Sequence, residues 1–116
     1  MDSLSIDEKK VLMNEVGNDG KTAHLYYSPK YKMFVAYGIS AYIVYRTVHN
    51  VKTNYESDLQ MPMVIVDDSQ ISILKNGLEN IIDIKDDYLQ LEADKNYDDS
   101  DYDEWAGFVR SQYYGD

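Results

Sequence analysis

The feature that most restricts the fold of this chain is a run of thirty-six residues without an acidic side chain. Between Gly20 and Tyr55 the charged residues are Lys21, Lys30, Lys32, Arg46 and Lys52, set among tyrosines and β-branched residues. Side chains of that kind suit a pleated, half-buried surface, so the segment reads as strand material. "TAHLYY" and "YKMFVAY" flank "SPK", where Pro29 presets a turn, and together they predict a hairpin. "ISAYIVYRTV", dense in aromatic and β-branched residues, is read as a third strand. "MPMVIV" is a fourth, with Pro62 acceptable near its start or on an edge. "IIDIKDDYLQLE" alternates at Ile82 and Ile84, then at Leu89 and Leu91, which predicts a second hairpin with a polar tip.

Helices are expected in three places. "SIDEKKVLMNEVG" places Ser5 and Glu8 in capping-box spacing and Gly17 as a left-handed stop. "SQISILKNG" is a short helix capped by Asp68 or Ser69 and ended by Gly77. Ser100 caps a terminal helix whose Tyr102, Trp105, Ala106, Val109 and Tyr113 share one face, with Phe108 beside them. The expected architecture is α+β: an antiparallel sheet of five or six strands with an N-terminal, a short middle and a C-terminal helix, in one domain over residues 1–116.

The absence of cysteine removes a disulfide framework and thiolate metal sites. The first residues, "MDSLSIDEKK", do not read as a secretory signal. "MFVAYGISAYIVY" is broken by Gly38 and Ser40 and is too short to span a bilayer. A cytoplasmic protein without a membrane anchor is expected, in the host-cell cytoplasm if the chain is phage-encoded.

Charge is strongly segregated. The formal net charge is −10: residues 1–19 carry −3, residues 20–55 carry +5 and residues 56–116 carry −12. Residues 83–104 alone hold ten acids against Lys85 and Lys95: Asp83, Asp86, Asp87, Glu92, Asp94, Asp98, Asp99, Asp101, Asp103 and Glu104. Two frames of the calcium-loop pattern fall on this segment, and both fail. Starting from Asp94, the pattern meets Asp99 where glycine is needed and Trp105 where a bidentate glutamate is needed. Starting from Asp99, it meets Glu104 and Arg110 at those two positions. Contiguous acids on one loop also converge poorly on a two-metal centre. His24 and His49 fall in segments read as strands, where they serve the sheet, and no nucleophile elbow, phosphate loop or HExxH motif is present. No catalytic residue, metal or cofactor is nominated.

A folded ridge of carboxylates can imitate a phosphate row, since each DNA strand carries one charge per roughly 3.4 Å of axis. On a helix, Asp101 and Glu104 share one flank. Acids in a first helical turn are also favoured by the helix dipole, which accounts for two or three carboxylates but not ten. In size and charge, though in no shared motif, the chain resembles the small acidic inhibitors that phages and mobile elements use against nucleases and defence complexes. It resembles nuclease-toxin immunity proteins in the same respect. The expected function is therefore a non-enzymatic acidic inhibitor of the anti-CRISPR or anti-restriction type, its ten acids meeting a basic nucleic-acid-binding protein.

A different use follows from Tyr26, Tyr27, Tyr31, Tyr37, Tyr42 and Tyr45 among Lys30, Lys32 and Arg46: a basic aromatic sheet that stacks single-stranded nucleic acid. The same stretch could instead build a symmetric homodimer.

Overall fold

The computed structural model describes residues 8–18, 20–48, 50–57, 59–77, 80–85, 88–93, 97 and 99–114, with backbone alone for Glu8, Lys10, Gly77, residues 80–85 and Asp99. The elements run α1 (Glu8–Val16), β1 (Thr22–Ser28), β2 (Met33–Tyr37), α2 (Gly38–Thr47), β3 (Lys52–Glu56) and β4 (Met61–Val66). They continue with α3 (Asp68–Gly77), β5 (Asn80–Lys85), β6 (Tyr88–Glu92) and α4 (Asp99–Tyr114). The six strands form one antiparallel sheet in the order β3-β4-β2-β1-β6-β5. The α+β class, the two hairpins and the three expected helices are all present.

Both faces of the sheet are covered. Ala23, Leu25, Ala36, Val64, Val66, Leu89 and Leu91 form the larger core with residues of α2, α3 and α4. Tyr26, Val35, Tyr37, Met63, Ile65 and Tyr88 alternate with them and pack with Val11 of α1 on the opposite face.

Of residues 39–48, expected as a strand, 39–47 instead belong to α2 and Val48 caps its end. Gly38 makes the change possible: at φ 60 it turns the chain from β2 straight into the helix. Six of the ten α2 residues are buried, because the helix packs on β1, β2 and β4 and also meets α1, α3 and α4. Only Tyr45 and Arg46 of this helix are exposed, so no broad polar face marks its period and its β-branched content misleads. The sixth strand is β3, which composition did not suggest. It is an edge strand in which only Tyr55 is buried, so it lacks an apolar alternation.

Several ends also differ from expectation. Asp67, rather than Asp68 or Ser69, caps α3: its carboxylate accepts from Gln70 N at 2.8 Å and Ser69 Oγ at 2.7 Å, while Gln70 Oε1 accepts from Asp67 N at 3.0 Å. Those bonds, the backbone one first, hold the Asp67 carboxyl below its usual range. Ser100 lies inside the first turn of α4, not at its cap. Gly17 follows α1, but the glycine with positive φ after this helix is Gly20, at φ 84. Ser5 and His49 lie outside the described residues. A register shift between Ile81 and Asp83 pairs Ile81 with Leu91 and Ile84 with Leu89, in place of a strict alternation through Ile82.

Gly20 also meets the chain ahead of α4. Its carbonyl accepts from Tyr97 N at 2.8 Å, and a Cβ on Gly20 would lie 2.5 Å from the Tyr97 carbonyl oxygen. Gly107, in an exposed turn of α4, has nothing within 4 Å of such an atom. Gly20→Ala is therefore expected to lower stability by about 2 kcal/mol or more, whereas Gly107→Ala raises it by about 1 kcal/mol. Urea unfolding of the two variants checks this, and equal effects would contradict it.

Candidate partner-binding site

The acidic segment is carried into an ordered element by the aromatic stripe of α4. Trp105 and Val109 are buried, and Tyr102 and Ala106 half-buried. The Trp105 ring lies 5.4 Å from Tyr42 and 5.0 Å from Tyr45 of α2, centroid to centroid, and Tyr102 lies 6.2 Å from Tyr42. Further along, Tyr113 and Tyr114 lie against Tyr55 of β3 at 5.6 and 5.8 Å. Tyr113 remains 47% exposed and Phe108 63% exposed, so the apolar face is narrower than its spacing suggested.

Asp101, Asp103 and Glu104 are all exposed on this helix. Asp101 and Glu104 do share a flank: both border one depression with Tyr42, Tyr45, Arg46, Trp105 and Phe108. Asp103 points elsewhere, bordering a depression with Glu15, Gly38, Met61 and Tyr102. Burial, with smaller contributions from the charges of Glu15 and Asp103, raises the Tyr102 hydroxyl above its usual range. Glu92 is half-buried at the end of β6, paired in register with Thr22 and Asn80. Asp83 lies on edge strand β5 opposite Gln90, described by its backbone alone. Asp99 opens α4, also as backbone, and Asp86, Asp87, Asp94 and Asp98 lie outside the described residues. The structure thus groups Asp101 with Glu104, keeps Asp103 on the same helix, and puts the strand of Asp83 at the sheet edge away from β3 and β4, where α4 packs.

The neighbourhood of these acids is not apparent from their spacing. A third depression, of about 310 Å³, is lined by Tyr45, Thr53, Asn54, Trp105, Phe108, Val109, Gln112 and Tyr113. It shares Tyr45, Trp105 and Phe108 with the first, which is an aromatic groove between α2 and α4, and adjoins that groove on the side of β3. The spacing of Tyr42, Tyr45 and Arg46 at i, i+3 and i+4 is the signal for it, but it counts only where the segment is helical.

The tyrosines of the middle segment do not share a surface. Tyr26 and Tyr37 are buried with Val11, and Tyr42 is buried in the larger core. Tyr45 opens to the α2–α4 groove, and the Lys30 ammonium lies over the Tyr31 ring at 5.3 Å.

A polar knot fixes the start of α2. Glu15 of α1, although buried, accepts from Ser40 N at 3.0 Å and Ser40 Oγ at 2.6 Å, and from Asn18 Nδ2 at 3.3 Å. Ser40 Oγ in turn accepts from His24 N at 2.8 Å, which ties β1 into the knot. On the second face, His24 Nδ1 lies 2.6 Å from the Tyr88 hydroxyl, which donates to Gln90 Oε1 at 2.8 Å. The Tyr26 hydroxyl, accepting from Asn14 Nδ2 at 2.8 Å, is raised above its usual range by burial.

Among the described residues no cluster of three metal-binding side chains occurs, and no helix is long and apolar enough to cross a membrane. The chain matches no family model, no curated protein and no solved structure.

Burial pushes the Glu15 carboxyl up to about 7, against the hydrogen bonds from Ser40 and Asn18 that favour its charged form. The folded protein therefore holds this proton more tightly than the unfolded chain. The resulting stabilisation is complete below about pH 4.5 and lost as pH rises through about 7. Relative to the native chain, Glu15→Gln should gain up to about 3 kcal/mol in stability between those limits. Unfolding at both ends of the window checks this; a difference independent of pH would contradict it.

Proposed function

We propose that this chain is a non-enzymatic binding protein, an acidic inhibitor that occupies the basic nucleic-acid-binding surface of a nuclease or defence protein. Anti-CRISPR or anti-restriction activity is the concrete form, and such partners place its action in the cytoplasm. One observation carries the reading: Asp101 and Glu104 stand exposed on a helix that Trp105 and Val109 anchor, at the rim of an aromatic groove. Carboxylates displayed from an anchored helix lose less entropy on binding than the same charges on a free tail. Aromatic side chains beside them supply the contact area that interface centres favour. The alternative, base stacking on a basic tyrosine sheet, has less support because Tyr26, Tyr37 and Tyr42 are buried.

The test is DNA cleavage by CRISPR effectors and restriction endonucleases with this chain titrated in. Inhibition is expected, weakening steeply with added salt as charges are screened over about 8–10 Å. Replacing Asp101, Asp103 and Glu104 with Asn, Asn and Gln should raise the inhibitory concentration about tenfold or more. The fold should survive, since each loses only about 0.3–1 kcal/mol of dipole stabilisation. Undiminished inhibition by the triple variant would contradict the proposal.

A further inference from the structure

The groove between α2 and α4 has a composition that selects among cationic partners. Phe108 is 63% exposed and Tyr45 44% exposed, and both border the groove with Trp105. At one end stand Asp101 and Glu104. Arg46, which borders the same end, lies over the Tyr42 ring at 5.8 Å and donates from Nη1 to the Tyr42 hydroxyl at 3.1 Å. A planar cation therefore already rests against an aromatic face here.

An aromatic face attracts cations, and guanidinium does more than ammonium: it is flat, weakly hydrated and able to pair with carboxylates in a fork. Arg46 at the same end offsets one charge of the pair and leaves Asp101 and Glu104 net negative, so they repel a phosphate, and a purely apolar segment would cover the remaining charge unpaired. We infer that the groove takes an arginine side chain of the partner protein, its guanidinium stacked on Tyr45 and Phe108 and paired with Asp101 and Glu104. The inference rests on the acidic-inhibitor reading and names what that inhibitor grips: an arginine-bearing basic surface rather than any positive one.

Trp105, the single tryptophan, reports occupancy through its fluorescence. The full chain is titrated with an oligo-arginine and an oligo-lysine peptide of equal length. The arginine peptide is expected to bind about tenfold more tightly. Phe108→Ala should remove that preference while both peptides retain charge-driven binding. Phe108→Leu, which keeps apolar bulk without the π face, should remove it as well. Neutralising Asp101 and Glu104 should weaken both peptides.

Equal binding of the two peptides, or a preference that survives both Phe108 variants, overturns the inference and leaves the acidic reading standing. Affinities unmoved by neutralising Asp101 and Glu104 overturn both. Fluorescence changes that depend on Phe108 but arise with single-stranded DNA, or on dilution of the chain alone, assign the groove to nucleic acid or to a homodimer and also overturn it.

Discussion

The seating of Trp105 on Tyr42 and Tyr45 is the contact on which the functional surface depends. It joins α4 to α2 through rings 5.0 to 5.4 Å apart and buries the indole to 8% exposure. Aromatic pairs of this kind add about 0.5–1.5 kcal/mol each beyond the area they bury. The neighbouring acids, Asp101, Asp103 and Glu104, make no such anchoring contribution and lie exposed. The indole therefore sets where the carboxylates stand, and the carboxylates set what can approach.

The platform beneath Trp105 is fixed in turn by α2. That helix follows β2 without a loop, through the left-handed Gly38, and its first turn is gripped by the buried Glu15 carboxylate. A negative group at a helix N-terminus is electrostatically favoured, and here it also satisfies the Ser40 amide. Asn18 and the His24 amide complete the knot, so α1, α2 and β1 are locked at one point. Burial opposes that charge and raises the Glu15 carboxyl to about 7. Organisation thus passes from Glu15 to α2, from α2 to Trp105, and from Trp105 to the acidic flank.

Much of this was legible in the residues, and the failures have physical causes. Hairpins announce themselves by local chemistry: Pro29 between two aromatic runs, and a polar tip between Ile84 and Leu89. The α4 stripe announced itself because one side of that helix faces water. By contrast, α2 exposes only Tyr45 and Arg46, so Ile43 and Val44 signal burial without signalling period. The polar β3 depends on its pairing with β4 rather than on its own composition. The same misreading concealed the site. The shared flank of Asp101 and Glu104 followed from helical spacing alone. The aromatic groove beside them requires Tyr45 to come from a helix, and a strand there put it out of reach of Trp105.

The central claim is that the negative groups of α4 are held on a rigid support. Amide hydrogen exchange of the free protein tests it most directly. Amides of residues 104–110 are expected to be protected to a degree approaching those of β1, because opening them requires Trp105 to leave Tyr42 and Tyr45. Exchange of those amides at the rate of an unstructured chain would contradict it.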